Sequence, residues 1–257
     1  MKASIDGVLR HLSGWRRDTP DHRDHPFSLP APILIPKKVD LRRPDMQIED
    51  QGSLGYCAYC ASTSAMEFLY PLAGKPVVQL SRLFLGYANR VWTDHEDPDD
   101  DNGAEIREVM KTLRAYGTCP ELSWPYVEAK FNVEPPGDAK REAMLHQITC
   151  YSRCADLHAV QMSLAAGYPV IGGFRVPANA LSDASAKSGI IKYPAQDEGF
   201  VGGHAVLIVG YDDALRLLTF ENSWGDAWGD SGYGYLPYEF VTTGLADDFW
   251  TIRAEEL

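Results

Sequence analysis

Long apolar runs are missing from this chain of 257 residues, and none approaches the roughly 18 consecutive apolar positions that a membrane-spanning helix needs. The first residues, Met1 to Asp18, hold only short apolar runs broken by Asp6, Arg10 and Ser13, without the continuous apolar stretch of a secretory signal. No membrane partner is expected, and the location expected is cytoplasmic, with specialised export left open. Cysteine is scarce: five residues, an odd number, fit free thiols in a reducing compartment better than a disulfide framework. Basic residues are outnumbered, 24 against 36 acidic, for a net charge of −12. That balance repels phosphate backbones, and no local Lys/Arg run offsets it, so nucleic acid is not expected as a partner. The acidic run at Asp94, Glu96, Asp97, Asp99, Asp100 and Asp101 lacks the alternating spacing and closing Glu of a calcium loop and reads as a solvated loop. What remains is ordinary globular composition, 45% hydrophobic and 23% charged, on a chain long enough for one large domain or two lobes sharing a cleft.

The segment Gln51-Gly52-Ser53-Leu54-Gly55-Tyr56-Cys57-Ala58-Tyr59-Cys60 runs from a turn-rich stretch into an apolar-periodic one. Ala58, Ala61, Ala65, Phe68 and Leu69 recur at helical spacing without Gly or Pro, so a buried helix is expected to start near Cys57. The partial positive charge of a helix N-terminus favours the thiolate, which is the nucleophilic form. Gln51 lies upstream across a glycine turn, from which its amide could donate to a developing oxyanion. Downstream, Gly202-Gly203-His204-Ala205-Val206 offers a base in strand-like surroundings, and Asn222-Ser223-Trp224-Gly225 offers an amide to orient it. His204 follows Cys57 at the separation of about 130–150 residues found in papain-type enzymes, and Asn222 lies somewhat beyond.

These three motifs, together with Gly14-Trp15, Val39-Asp40-Leu41-Arg42, Ser81-Arg82-Leu83-Phe84, Gly103-Ala104-Glu105-Ile106-Arg107, Trp124-Pro125-Tyr126 and Asp247-Asp248-Phe249-Trp250, resemble the bacterial branch of the papain family of cysteine peptidases. The resemblance implies Cys57 as nucleophile, His204 as base and acid, Asn222 as orienting amide, Gln51 as oxyanion donor and Trp224 as the ring that shields the His–Asn hydrogen bond. It also implies that backbone groups at Asn102, Gly103 and Ala104 meet an extended peptide substrate. Gly203, beside the base, is taken with them because a backbone must come close there. Two positions depart from the family pattern: Leu54 stands where papain has a disulfide cysteine, and Ala58 stands where an aromatic residue usually follows the nucleophile. Both bear on substrate preference rather than on reaction class.

Along the chain, residues 5–15 read as a short helix, and a segment rich in proline follows, with Pro20, Pro26, Pro30, Pro32 and Pro36. Such a segment lies extended over a surface, and residues 15–38 are expected to cover the cleft or to wrap the back of the domain. Helices are expected at 80–92, 105–116, 139–151 and 155–166, and strands at 170–176, 205–211, 215–220, 233–236 and 249–252. Helices first and strands later give an α+β fold: an N-terminal segment 1–38, then a catalytic domain 39–257, whose helical lobe (mainly 50–166) and antiparallel sheet lobe (mainly 167–257) flank a cleft. The expected reaction is hydrolysis of peptide bonds through an acyl-enzyme, with no metal or cofactor. An acyltransferase or peptide cyclase would keep the same residues. Cys57-x-x-Cys60 raises a thiol–disulfide oxidoreductase, but the βαβ surroundings of that motif are missing. A non-catalytic peptide binder would not need Cys57, His204, Asn222 and Gln51 together. A zinc site from Cys57, Cys60, Cys150 and Cys154 would consume the nucleophile. Cys119, Cys150 and Cys154 read as inert buried packing.

Overall fold

The computed structural model describes residues 2–5 and 8–254. The first strands are β1 (Lys2–Ile5), β2 (Val8–His11), β3 (Trp15–Arg16) and β4 (Lys38–Asp40). Next come α1 (Cys57–Leu72), α2 (Arg82–Tyr87) with a π-helical turn over Ala88–Thr93, β5 (Ala104–Glu105), α3 (Ile106–Ala115) and α4 (Gly137–Ala143). The remainder is mostly sheet: β6 (Cys150–Cys154), α5 (Leu157–Ala165), β7 (Val170–Pro177), α6 (Asp183–Ser188), β8 (Phe200–Asp212), β9 (Leu217–Glu221), β10 (Tyr233–Pro237), α7 (Tyr238–Thr242) and β11 (Ala246–Arg253). The main sheet runs β10-β9-β8-β7-β11-β6, with β4 paired to the far end of β8, and every pair in it is antiparallel.

Helix α1 is the axis of the molecule. Every residue from Cys57 to Tyr70 is buried, because the helix packs between α2 and α3 on one side and β7, β8 and β11 on the other. A helix with no solvent face must be apolar nearly all round, which the Ala, Tyr, Met and Phe content supplies. Its buried acid, Glu67, accepts the Leu80 backbone N–H at 2.7 Å. Helix α3 shows the opposite pattern, one stripe of Ile106, Val109, Met110 and Leu113 turned inward, with Glu108 early and Arg114 late along the dipole. Ser81 caps α2 by accepting the Phe84 N–H at 3.1 Å.

Several expectations need correction. Residues 5–15 are not a helix but a hairpin with Ile5 opposite Val8, followed by an extended strand. A helix would turn its carbonyls onto its own amides, whereas those of Leu12 and Gly14 are taken by the amides of Gly203 and Ala104. The helix expected over 139–151 stops at Ala143, because the following residues supply β6, which covers the outer edge of β11. The sheet therefore draws β4 and β6 from outside 167–257. Cys150 is exposed at the start of β6, while Cys119 and Cys154 are buried.

The acidic loop after α2 is anchored from beneath by Arg90, which is fully buried. Its guanidinium donates to the carbonyls of Pro98 (2.8 Å), Asp100 (2.5 Å) and Phe131 (2.6 Å) and to the Tyr56 hydroxyl (3.2 Å). Asp101 at the end of that loop accepts the Gly55 N–H with both oxygens, at 3.0 and 2.9 Å, and so fixes the turn that delivers Cys57. Replacing Arg90 by Ala strands three part-buried carbonyls and should lower unfolding stability by about 2 kcal/mol in urea titration, with Arg90→Lys intermediate.

Candidate active site

Cys57 is the first residue of α1 and has no exposed surface. Its Sγ accepts the backbone N–H of Ala205 at 3.3 Å, so the helix start lies directly against the strand position next to His204. The imidazole is oriented from behind: His204 Nε2 and Asn222 Oδ1 are 2.7 Å apart, and Asn222 Oδ1 also accepts the Ser223 N–H at 2.9 Å. The Trp224 ring lies over the imidazole with centroids 4.7 Å apart and planes tilted by 33°. Gln51 donates from Nε2 to the Leu54 carbonyl at 2.7 Å, while its Oε1 accepts the Ser223 hydroxyl at 2.8 Å. The five residues expected from sequence, Cys57, His204, Asn222, Gln51 and Trp224, thus converge. Among the described residues no cluster of three or more His, Cys, Asp or Glu forms a metal site. The two cysteine pairs lie on α1 and β6.

Above the thiol runs the chain's own N-terminal segment. A Cβ built on Gly14 would stand 2.5 Å from Cys57 Sγ and 2.8 Å from the Gly55 carbonyl, so only glycine fits over the sulfur. Leu12 O accepts the Gly203 N–H at 2.8 Å and Gly14 O accepts the Ala104 N–H at 3.0 Å. The segment is therefore bonded to both walls of the cleft, as β3 alongside β5 on the helical side and by a bridge from Ser13 to Gly203 on the sheet side. Gly103, at φ 71°, leaves the space that Ser13 O and Gly14 fill. The substrate-facing positions expected from sequence at Gly103, Ala104 and Gly203 are those that hold this segment, and Asn102 stands exposed at the rim.

Side chains fasten the same segment. Arg10, buried, donates to Asp50 Oδ1 at 2.5 Å and to the Trp224 carbonyl at 2.8 Å. The Trp15 indole is wedged against Gly173 and Gly203 and donates to Asp248 Oδ2 at 3.2 Å. Asp248 sits in the left-handed region, φ 56°, within the β-bulge of β11, which turns its carboxylate inward. Arg16 meets Glu96 at 2.8 Å and Asp94 at 3.4 Å, and Arg17 pairs with Asp247. Sequence reasoning named Gly14 and Trp15 only as part of a resemblance, and it missed Arg10, Ser223 and the inward turn of Asp248. The glycine pair 202–203 facing a Gly-Trp step was the available signal.

A sequence model described as papain family cysteine protease matches residues 35–249. The chain belongs to that family. It is similar to xylellain, a cysteine protease of Xylella fastidiosa, at 34% identity and a TM-score of 0.87, over 96% of this chain and 99% of that one. An uncharacterised peptidase C1-like protein of Acanthamoeba polyphaga mimivirus is 33% identical over 93% of this chain and 86% of its own length. Cysteine proteinase 1 of Entamoeba histolytica is 27% identical over 84% of this chain and 68% of its own. This papain-family chain is accordingly a cysteine peptidase of α+β fold that acts on peptide or protein substrates.

Burial sets the protonation of this papain-family pair. It pushes the Cys57 thiol up to about 12, against the opposing pull of the Ala205 N–H. It also pushes His204 down to about 4, with the Arg10 guanidinium acting in the same direction and the Asn222 hydrogen bond opposing both. Between those values, with the segment in place, thiol and imidazole are both neutral. Iodoacetamide labelling of Cys57 in the full chain is expected to be slow at pH 7 and faster at higher pH, as thiolate forms. A plateau starting below pH 6 would show an ion pair already formed beneath the segment.

Proposed function

We propose that this cysteine peptidase uses Cys57 as nucleophile, His204 as general base and acid, Asn222 as the imidazole's orienting partner and Gln51 as oxyanion donor, and that residues 10–17 hold it latent. The observation that carries the latency is the seat of Gly14 on Cys57 Sγ, with the amides of Gly203 and Ala104 already occupied by Leu12 and Gly14 carbonyls. An extended substrate needs those wall groups and that space. Once the segment leaves, water reaches the sulfur and Arg10 withdraws its charge, so the thiolate–imidazolium pair becomes accessible. Thiolate attack on the peptide carbonyl forms the S–C bond and moves the π electrons to oxygen, which Gln51 Nε2 and the Cys57 N–H receive. His204 then protonates the leaving amine, and a water deprotonated by the same imidazole releases the acyl group.

The covering element is shorter than the whole Pro-rich stretch. Beyond Asp18, which ends the docked stretch, the chain is built into the domain: Asp24 pairs with Arg107 and Arg153 at 2.7 and 3.1 Å, Phe27 enters the sheet-side core, and Pro36 O accepts the Tyr211 hydroxyl at 2.6 Å. Deleting residues 1–38 would therefore remove structural contacts along with the cover. Gly14→Val is the cleaner test, since its side chain cannot coexist with Sγ. In the full chain it should raise the rate on a fluorogenic peptide amide at least about tenfold, the equivalent of roughly 1.4 kcal/mol in segment docking, and Cys57→Ser in the same background should abolish that rate. Unchanged activity with restored labelling of Cys57 would remove latency while leaving the peptidase reading intact.

The docked segment also responds to pH. The Asp18 carboxylate, buried, accepts Trp250 Nε1 at 2.8 Å and the Arg107 N–H at 3.1 Å, and its own N–H donates to Asp248 Oδ2 at 2.8 Å. Burial first and the Asp248 charge second push Asp18 up to about 7. Arg107 on α3 and Arg153 on β6 face these two acids, shared with Asp24 and Asp247. A carboxyl whose pKa is higher docked than free takes up a proton on docking. Docking is accordingly strongest below about pH 4, weakens as pH rises from there to about 7, and levels off above that. Latency should loosen between about pH 4 and 7 in the full chain and then level off, read as amide hydrolysis normalised to the Gly14→Val protein, and Asp18→Asn should flatten that rise.

A further inference from the structure

We propose that Ser223 is a positioning residue that holds the Gln51 amide in the one orientation from which it can receive an oxyanion. The inference rests on the reading of Cys57 and Gln51 given above and goes beyond it by assigning a residue that touches no substrate. Gln51 is fully buried, and both ends of its side chain are held by the protein. At the oxygen end, Oε1 accepts the Ser223 hydroxyl at 2.8 Å. At the nitrogen end, Nε2 donates to the Leu54 carbonyl at 2.7 Å, and its other contact is the His11 carbonyl of the covering segment at 3.5 Å. One N–H of that NH2 group is thus committed to the protein, and the other faces the place that a substrate oxygen takes when the segment departs.

The two holds do different work. An amide flipped end for end would press Oε1 against the Leu54 carbonyl oxygen, two acceptors at hydrogen-bond distance, so Leu54 decides which end is nitrogen. Leu54 alone leaves the amide plane free to swing about that single bond. The Ser223 hydroxyl stops the swing by holding the other end. Ser223 is placed for this by its own backbone, since its carbonyl accepts the Gln51 N–H at 2.9 Å and its N–H is held by Asn222 Oδ1 at 2.9 Å. One residue of the sheet side therefore ties the amide that orients the imidazole to the amide that receives the oxyanion. Without the hydroxyl, Oε1 would be buried with no partner and would reorient to find one, carrying Nε2 out of line.

The test exploits a reaction that uses the thiolate but not the oxyanion hole. Opening of a thiol-directed epoxide forms an S–C bond and breaks a ring C–O bond whose oxygen is protonated; no carbonyl oxygen becomes charged. A peptide aldehyde instead forms a hemithioacetal: the S–C bond forms and the carbonyl π electrons go to an oxygen that takes the thiol proton beside Gln51. In the full chain the epoxide rate reports how often the cleft is open and how reactive the sulfur is, so dividing by it removes any change in segment docking. In Ser223→Ala, kcat/KM for a fluorogenic peptide amide relative to the epoxide rate should fall about 5–10-fold, less than the roughly 10²–10³ of losing the donor itself. The loss should lie in kcat, and aldehyde affinity should fall by the same factor. Ser223→Thr, which keeps the hydroxyl, should restore both. The double variant Gln51→Ala/Ser223→Ala should be no worse than Gln51→Ala alone. Multiplicative losses in the double variant, or an epoxide rate that falls in step with hydrolysis, would overturn the assignment. Should Ser223→Ala fold poorly, Ser223→Cys, a near-isostere with a weak donor, must give an intermediate ratio or the proposal fails. A wild-type chain that binds aldehyde and epoxide but hydrolyses no amide would refute the peptidase reading, and the aldehyde series would still decide Ser223.

Discussion

Charge on sulfur is costly where water is absent, and the whole molecule is arranged around controlling water at one sulfur atom. Cys57 is delivered to the end of a helix with no solvent face, against a strand amide and beneath a glycine of the same chain. Burial there raises the thiol and lowers the imidazole, so both groups are pushed toward their neutral forms. Covering the sulfur and forming its thiolate are in this way opposed through solvation.

The covering segment is specific because it satisfies the cleft's own hydrogen-bonding groups. Backbone amides on both walls need acceptors once water is gone, and the carbonyls of Leu12 and Gly14 supply them. Its ends are fixed by buried chemistry of two kinds. Arg10 binds Asp50 and lies near the Trp224 ring, whereas Trp15 and Asp18 enter a site floored by Asp248. There the carboxylates of Asp18, Asp24, Asp247 and Asp248 share Arg107, Arg153 and Arg17, an excess of negative charge that favours one retained proton.

Much of the site was legible because its chemistry needs particular residue types beside particular turns. Gln51, Cys57, His204, Asn222 and Trp224 each carry a local signature, and their order in the chain agrees with a two-lobe cleft. The strands β7 to β11 were legible from short apolar runs between turn residues. The stretch 5–15 misled because its apolar spacing suits a helix, while its structure is decided by two walls that lie about 90 and 190 positions further along the sequence. The overrun past Ala143 has the same origin: β6 exists because β11 presents an edge, and that edge is encoded a hundred residues later.

Residue type and local periodicity sufficed for the reaction class, for naming Cys57, His204, Asn222 and Gln51 as candidates, and for the division into helix-rich and strand-rich halves. It took the packed fold to show that residues 10–17 run over Cys57, that Asp248 turns inward on a bulge, and that Ser223 reaches Gln51. Those facts rest on distances between segments far apart in the chain, and contacts of that kind leave no period, spacing or composition by which a single sequence reveals them.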